Sequence, residues 1–327
     1  MSVEPVAVTI GTEIINGLSA IGAHEDAIGG AALAAGAAIK GTGWLISALK
    51  TRLPFFNRHY LGTSPAAQTQ AAANVISVSQ HIRKRFDEYV ADGRLTEQQA
   101  RDALDNPAFA LFFNDAVLGA SETDDDFIHE QFASLIIERM TKDHASVEAI
   151  AIRLATERLR DITSQQLKLL AAIFVAQRVL PYHHHHPEPF SSLEEYAELC
   201  SAEVRPHWDA CIYYGDYWSL AAANTIDIRD TGLNCAYYCP MIAQADSLFP
   251  EWHDHPPEVF TRLTSWMEGT LSVDVDGARL DLGSNPCGFK QIMLKKTGAI
   301  IGNVVHWNML GRGRRLDDLS YMREERL

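Results

Sequence analysis

The chain has 327 residues, with 28 Lys and Arg against 42 Asp and Glu, a formal net charge of −14 and five cysteines. This length allows one or two domains with a sizeable core, and five scattered cysteines do not form a secreted disulfide framework. Nucleic acid is excluded as a main partner, because phosphate binding needs clustered basic side chains. We therefore expect a cytoplasmic protein, although these averages leave room for one membrane-active segment.

The amino-terminal part of the sequence contains such a segment. Residues 27–49 form a run of 23 residues dominated by Ala and Gly, about long enough to cross a ~30 Å hydrocarbon layer. Lys40 costs roughly 2.5–3.5 kcal/mol at a bilayer centre, so we expect conditional insertion or self-association through close helix packing. The residues expected to mediate it are Gly29, Gly30, Ala34, Ala37, Lys40, Gly41 and Trp44.

The charges around this segment are polarised. Glu25 and Asp26 precede it, whereas Lys50, Arg52 and Arg58 follow it. No basic residue precedes Lys40, so the segment does not have the positive start of a secretory signal. If it spans the inner membrane, the positive-inside rule places the rest of the protein in the cytoplasm. A buried Ala/Gly helix in a soluble bundle and a flexible linker are the other open interpretations.

A succession of helices is predicted from residue 66 onward. The first covers residues 66–90 and ends at the stop signal Asp92-Gly93. Thr96 and Gln99 have the spacing of a capping box and predict a short second helix. Asn106-Pro107 opens the third.

Apolar periodicity predicts three further helices. The first follows an acidic turn, Asp124–Asp126, and carries Ile128, Phe132, Leu135 and Ile136. The second is marked by Val147, Ile150, Ala151 and Leu154. The third is capped by Thr163 with Gln166 and carries Leu167, Leu170, Ala171, Phe174 and Val175. Adjacent aspartates point in different directions, so Asp124–Asp126 favour a helix cap over a metal site.

The order of elements over residues 106–143 and 162–174 follows a pattern of helix cores and caps. An acidic turn is followed by a helix with an F-A-x-L-I core, a further helix, and a helix capped at Thr163-Ser164. This order resembles a bacterial all-helical family related to the Abi-alpha abortive-infection proteins, over roughly residues 105–239. The resemblance implies a helical fold and a role in phage defence. It assigns no catalytic residue, and residues 27–49 are not part of it.

Two pairs of side chains have a spacing that could supply zinc ligands. Cys235 and Cys239 bracket three residues, and His253 and His255 follow about fourteen residues later. Cys and His are the usual ligands of structural zinc. The commoner knuckle is C-x2-C, so we expect no cofactor, with zinc as the one candidate.

Aromatic side chains are dense over residues 207–218, HWDACIYYGDYW. We interpret this stretch as the aromatic core of a second helical layer, with a pocket lining or a protein-binding face as the alternative. A nucleophilic pair of Cys211 with His207 is less favoured, because no orienting motif accompanies it.

The carboxy-terminal part is expected to contain one hairpin and one helix. Asp276-Gly277 is a two-residue turn signal. The facing pairs are then Val273 with Leu280 and Val275 with Ala278. Residues 289–310 are predicted to form a late helix.

The sequence thus predicts a mainly α-helical protein: a helical bundle with an Ala/Gly-rich amino-terminal hydrophobic helix and one small carboxy-terminal β-hairpin. We expect three regions, residues 1–62, 63–181 and 182–327. The favoured function is a bacterial antiviral effector that forms homo-oligomers, responds to a protein trigger and perturbs the inner membrane. The alternatives are a soluble helical oligomerisation or adaptor module without catalysis, and a zinc-dependent enzyme.

Overall fold

The computed structural model describes residues 59–60, 63–175, 205–207, 214–228, 272–275, 278–281 and 292–310. These residues fall into two compact units, the first ending at Arg160 and the second beginning at Asp161. Helix is the dominant structure, which confirms the predicted mainly α-helical fold. Within these ranges, no helix is both long enough and apolar enough to cross a membrane.

The first unit contains five described helices, all of them predicted. They are α1 (Pro65–Ala91), α2 (Glu97–Asp105), α3 (Pro107–Ser121), α4 (Asp126–Met140) and α5 (Val147–Leu159).

Local chemistry sets the ends of these helices. Asp92 is the carboxy-terminal cap of α1, and Gly93 follows in the left-handed region with φ 69°, where a residue without Cβ avoids strain. Thr96 and Gln99 form the predicted capping box of α2. Asp125 caps α4 by accepting a hydrogen bond from the Phe127 amide, which confirms the acidic turn as a helix start.

Helix α4 is the centre of the first unit. It packs against α1, α2, α3 and α5, and twelve of its fifteen residues are buried. The predicted apolar stripe is buried, but so are the polar residues His129, at the edge of the stripe, and Glu138. A helix that is covered on every side buries more than one stripe. The polar residues of α4 must therefore find their partners inside the unit.

Helices α1 and α4 run in the same direction. Hydrogen bonds join Ser77 to Asp126, Arg85 to Glu130, and Tyr89 to Glu138, so the two sequences advance together along the interface. Each of these bonds lies between side chains. The interface therefore combines an apolar core with a row of polar contacts.

The predicted apolar face of α5 is partly wrong. Val147 and Ile150 are 60% and 48% exposed. Ala151 is buried as predicted. The rest of the buried face consists of residues that the prediction did not include, namely Ala149, Ile152, Ala155, Thr156 and Leu159. Alanines allow the helix to approach its neighbours closely, so the periodicity of the larger apolar residues did not identify the packed face.

The second unit contains three described α-helices and two antiparallel strand pairs. The helices are α6 (Ser164–Phe174), α7 (Tyr214–Ala222) and α8 (Lys296–Leu310), and a 3-10 turn covers Arg205–His207. The strands are β1 (Ile226–Ile228), β2 (Ser272–Val275), β3 (Ala278–Asp281) and β4 (Ile292–Leu294).

The hairpin was predicted correctly and the late helix only in part. Strands β2 and β3 pair Val273 with Leu280 and Val275 with Ala278, which confirms the expected register. The helix predicted over residues 289–310 begins only at Lys296, because Ile292–Leu294 forms β4 and pairs with β1. A short apolar run is compatible with a strand or a helix. Here, pairing with β1 favours the strand.

Glycine allows α8 to lie close to α6. A Cβ at Gly302 would be 2.6 Å from the Phe174 Cβ and 3.0 Å from the Leu170 carbonyl oxygen. One turn earlier, a Cβ at Gly298 would collide with the carbonyl oxygen of Thr225, just before β1. The G-x-x-x-G spacing thus permits a backbone approach that a larger residue would prevent.

Candidate functional site

The predicted site residues lie outside the ranges that the structure describes. Those of the apolar segment, Gly29, Gly30, Ala34, Ala37, Lys40, Gly41 and Trp44, precede residue 59. The possible zinc ligands Cys235, Cys239, His253 and His255 fall between residues 229 and 271. Both sets stay predictions. Among the described residues, no group of three or more His, Cys, Asp or Glu side chains is placed to hold a metal ion.

Four polar side chains meet where α1 passes the start of α4, and we call them the Ser77 cluster. Ser77 Oγ lies 2.7 Å from Asp126 Oδ1 and 2.9 Å from His129 Nδ1. His81 Nε2 lies 2.9 Å from the same Asp126 oxygen. The cluster joins the two helices through the solvent-exposed carboxylate of Asp126 and the buried ring of His129.

Asp126 carries a negative charge in this cluster. Hydrogen bonds from His81 and then Ser77 hold the pKa of the Asp126 carboxyl below its usual range, so it accepts hydrogen bonds as a carboxylate. His129 Nε2 lies 3.0 Å from the Ala120 carbonyl oxygen and 2.9 Å from that of Thr123. Carbonyl oxygens only accept, so Nε2 carries a proton. His129 thereby fixes the main chain between α3 and α4.

Ser77, His129 and Asp126 are the residue types of a hydrolase triad, but their contacts have a different order. In a triad the imidazole lies between hydroxyl and carboxylate, so that it takes the proton while the acid orients it. Here the hydroxyl lies between the other two groups, and the carboxylate holds the hydroxyl instead of the ring. This geometry fastens two helices together and differs from the arrangement of a triad.

A second polar cluster surrounds Glu138, whose side chain is 1% exposed. Its Oε2 accepts a hydrogen bond from the Tyr89 hydroxyl at 2.7 Å and lies 3.3 Å from Arg94 Nη2. Lys142 Nζ lies 2.9 Å from Oε1. The Arg94 guanidinium also lies 3.8 Å from the centroid of the Tyr89 ring, a cation–π distance. Burial, followed by the charge of Glu138, raises the pKa of Tyr89, so the phenol stays protonated and donates.

The second unit buries a pair of histidines. His207 Nε2 lies 2.7 Å from His306 Nδ1, and His207 Nδ1 lies 3.2 Å from Met309 Sδ. Thioether sulfur only accepts, so His207 carries its proton on Nδ1 and accepts from His306 through Nε2. Burial lowers the pKa of His207 to about 4, which keeps the ring neutral near pH 7. Because the two nitrogens of His207 face different partners, His207, His306 and Met309 do not converge on one metal position.

The residues that precede α1 are fastened to the end of α3. Tyr60 Oη lies 2.7 Å from Ser121 Oγ, which itself donates to the Leu118 carbonyl oxygen at 2.6 Å. The single hydroxyl proton of Ser121 is therefore in use, and Tyr60 is the donor. Burial raises the pKa of Tyr60, which is consistent with a phenol that keeps its proton. His59 Nε2 lies 3.8 Å from Glu122 Oε1 in a largely exposed pair.

Main-chain contacts hold the same short stretch from its other side. The Tyr60 carbonyl oxygen accepts from the Thr63 amide at 3.1 Å and from the Thr63 hydroxyl at 2.9 Å. The buried Gln68 side chain donates to the Thr63 carbonyl oxygen at 3.0 Å. Tyr60 is thus tied both to the start of α1 and to the end of α3.

Sequence reasoning named Asp126 as part of a helix cap and His207 as a less favoured partner of Cys211, but it did not identify any of these polar clusters. One usable signal was His129, which lies three residues before Phe132 and seven before Ile136 and so borders the predicted apolar stripe, because buried polar residues are more informative than exposed ones. Another was the i, i+4 spacing of Ser77 and His81 on one helix face. Tyr60 carried no such signal, because its partner lies 61 residues away.

A protein-family model matches residues 49–207, just under half of the chain, and the family has no assigned activity. The matched range contains helices α1–α6 and the turn at Arg205–His207. It begins at the last residue of the apolar segment. Neither the curated proteins nor the solved structures give a match to this chain.

Proposed function

We propose that this protein is a bacterial antiviral effector of the abortive-infection type, which self-associates and perturbs the inner membrane through residues 27–49. The observation that carries the proposal is the fastening of Tyr60 to α1 and α3. The apolar segment ends eleven residues before Tyr60 in the sequence, so the bundle holds the chain at a point shortly after this segment. In a protein built in this way, a conformational change in the helical bundle can determine whether residues 27–49 are able to insert into a membrane.

The composition of the segment supports conditional insertion. It is rich in Ala and Gly and contains Lys40, which costs roughly 2.5–3.5 kcal/mol at the centre of a bilayer. When the inserted and non-inserted states of a segment have similar free energies, a modest additional free energy shifts the segment from one state to the other. We propose that homo-oligomer formation, set off by a protein trigger, supplies that free energy, with small-residue pairs such as Gly30 and Ala34 at the helix contacts.

The bundle supports a holding role more than a catalytic one. The Ser77 cluster and the Glu138 cluster use their polar groups to join α1 to α4. The resemblance to abortive-infection proteins covers α4 but not α1, and it suggests phage defence. On this proposal the protein lies in the cytoplasm and associates with the inner membrane when it is released.

Fractionation of bacteria that express the full chain tests the proposal. We expect the intact protein in the inner-membrane fraction after activation, and a double variant, Ala34→Lys with Ala37→Lys, in the soluble fraction. Each added charge costs roughly 2.5–3.5 kcal/mol in the membrane. Ala73→Lys, at an exposed position of α1, is the matched control and should behave like the intact protein. Equal distribution of the double variant and the control would contradict the proposal.

An adaptor or oligomerisation module without membrane action is the second candidate, because the first unit exposes large apolar side chains. Leu111 on α3 is 67% exposed, and Val147 and Ile150 on the neighbouring α5 are 60% and 48% exposed. Size-exclusion chromatography without detergent separates the two candidates. A large soluble assembly would favour the adaptor or oligomerisation module under two conditions. The assembly should be lost in the double variant Leu111→Ser with Ile150→Ser, and it should be retained in the double variant Ala34→Lys with Ala37→Lys.

A further inference from the structure

We infer that His129 carries a proton on each of its ring nitrogens and forms, with Ser77 and Asp126, a pH-sensitive tie between α1 and the junction of α3 with α4. The inference does not depend on the proposed function, because it concerns contacts within the first unit alone. It starts from the number of hydrogen atoms that the contacts of the Ser77 cluster require.

One side of the His129 ring must donate. Nε2 lies 3.0 Å from the Ala120 carbonyl oxygen and 2.9 Å from the Thr123 carbonyl oxygen, and carbonyl oxygens only accept. These two contacts therefore place one hydrogen on Nε2. A neutral imidazole has a single ring N–H, so in a neutral His129 the other nitrogen, Nδ1, would be an acceptor.

The other side of the ring faces a hydroxyl whose proton is already in use. Ser77 Oγ lies 2.7 Å from Asp126 Oδ1 and 2.9 Å from His129 Nδ1. A carboxylate only accepts, so the single hydroxyl proton of Ser77 goes to Asp126. Oγ is then left to accept, and Nδ1 must also carry a hydrogen. With a neutral ring, one of the two contacts of Ser77 would join two acceptors without a proton between them.

The charge of the doubly protonated ring has a counter-charge nearby. His129 is 2% exposed, and an isolated buried cation is costly. The carboxylate of Asp126 lies on the far side of the Ser77 hydroxyl, so a chain of hydrogen bonds joins the two charges. His81 Nε2 lies 2.9 Å from the same carboxylate oxygen and can donate to it whether its ring is neutral or charged.

The other titratable groups around this site have partners elsewhere. Glu130 on α4 accepts from Arg85 at 2.7 Å, and Glu122 at the end of α3 lies 3.8 Å from His59. Among the described residues, α2 and α5 make no hydrogen bond or ion pair with the Ser77 cluster. The two histidines of the cluster are therefore the groups whose titration changes its charge near neutral pH.

Loss of the Nδ1 proton would weaken the tie. The histidines of an unfolded chain are mostly neutral above pH ~6.5, whereas the folded unit holds two hydrogens on His129. Because the folded state then binds more protons, the stability from the tie is complete below pH ~6.5 and is lost as the pH rises and the ring becomes neutral. Ser77 can then donate to only one of its two partners, so α1 separates more readily from the junction.

Nuclear magnetic resonance of the full chain labelled with nitrogen-15 histidine counts the hydrogens directly. At about pH 7.5, where an ordinary histidine is mostly neutral, we expect both ring nitrogens of His129 to show the chemical shift of a protonated nitrogen. The His129 signals are identified by their loss in His129→Gln. A single protonated nitrogen in the unmodified chain would overturn the inference.

Replacement of the carboxylate gives a matched pair of variants for the same measurement. In Asp126→Asn the new amide can donate to Ser77, whose hydroxyl then donates to His129 Nδ1, so only Nε2 should stay protonated. Asp124→Asn removes a neighbouring exposed carboxylate and should leave both nitrogens protonated. Two protonated nitrogens in both variants would show that Asp126 does not hold the second proton.

Hydrogen exchange followed by mass spectrometry tests whether this proton controls the tie. The measured quantity is the protection factor of the main-chain amides in residues 120–129 divided by that of the amides in α5. Protection factors report local opening, and their ratio removes the direct effect of pH on exchange. We expect the ratio in the unmodified full chain to fall roughly 2- to 10-fold between about pH 6.5 and pH 9, the range for loss of one hydrogen bond.

Two further variants assign this fall to His129. His81→Gln removes the other titrating ring and keeps a donor, so the ratio should still fall. Ser77→Ala removes the bridge itself, so the ratio should begin low and change by less than about 2-fold. A ratio that is independent of pH in the unmodified chain, a fall that disappears in His81→Gln, or an equal fall in Ser77→Ala would overturn the pH-sensitive tie.

Discussion

Tyr89 on α1 donates a hydrogen bond at 2.7 Å to Glu138 on α4, although the glutamate is 1% exposed. A carboxylate this deeply buried is stable only when cations and donors surround it. Arg94 and Lys142 supply the positive charge, at 3.3 and 2.9 Å from its two oxygens. The carboxylate of Glu138 therefore holds together the end of α1, the loop after it and the end of α4.

Glu138→Gln should destabilise the first unit strongly. The substitution keeps the shape of the side chain but leaves the charges of Arg94 and Lys142 without their carboxylate, and breaking a buried ion pair costs about 3–5 kcal/mol. Denaturant unfolding followed by circular dichroism measures the change. Glu97→Gln removes a surface pair with Arg101 and should cost less than about 1 kcal/mol. Equal effects of the two substitutions would contradict the assigned role of Glu138.

Gly302→Ala should destabilise the second unit by about 1–3 kcal/mol, the usual cost of overpacking. The new methyl group would meet the Phe174 Cβ and the Leu170 main chain, neither of which can turn aside. Gly119→Ala in α3 is the control, since the three atoms nearest to a Cβ there all belong to the flexible side chain of Arg160. A helical alanine is favoured over glycine by about 1 kcal/mol, so that variant should be neutral or slightly stabilised in thermal unfolding.

The second unit should lose stability in acid through His207. Its folded pKa of about 4 lies below the ordinary value of about 6.5, so between these values the unfolded chain binds more protons. The stability due to neutral His207 is complete above pH ~6.5 and is lost as the pH falls to about 4, at about 1.4 kcal/mol per pH unit.

Tryptophan fluorescence can follow this acid effect, because five of the six tryptophans lie beyond residue 160. His207→Gln removes the titrating ring, so its unfolding free energy should change less between pH 6.5 and 4 than that of the unmodified protein. Parallel pH profiles for the two proteins would contradict the buried neutral histidine.

The carboxyl pKa of Asp126 should rise toward its usual range when its partners are removed. His81 makes the largest contribution to the lowered pKa and Ser77 the next, so His81→Ala should have the greater effect. Carbon-detected NMR titration measures the carboxyl pKa of Asp126 in His81→Ala and in Ser77→Ala. An Asp126 pKa that stays low in His81→Ala would show that His81 does not stabilise the carboxylate.

Local chemistry made most of the helix boundaries predictable. Capping residues such as Thr96 and Thr163 act over three positions, so a single sequence contains the whole signal. The hairpin register was predictable for the same reason, since Asp276-Gly277 and the alternating residues around it are adjacent in the chain.

Contacts between distant residues were not predictable in this way. Strand β4 depends on β1, which lies more than sixty residues earlier, and the packed face of α5 depends on alanines that carry little hydrophobic signal. The polar clusters also depend on contacts between distant residues, because Ser77 and Asp126 are 49 positions apart in the sequence. The predicted membrane and zinc residues fall outside the ranges that the structure describes, so they still await a test.

Dye release from vesicles made of bacterial-type phospholipids tests the central claim most directly, by comparing the full chain with a chain that lacks residues 1–50. The account predicts release by the full chain and little above the protein-free background by the shortened one, with the helical circular dichroism signal of the bundle retained in both. Equal release by the two chains would contradict the claim that residues 27–49 act on the membrane.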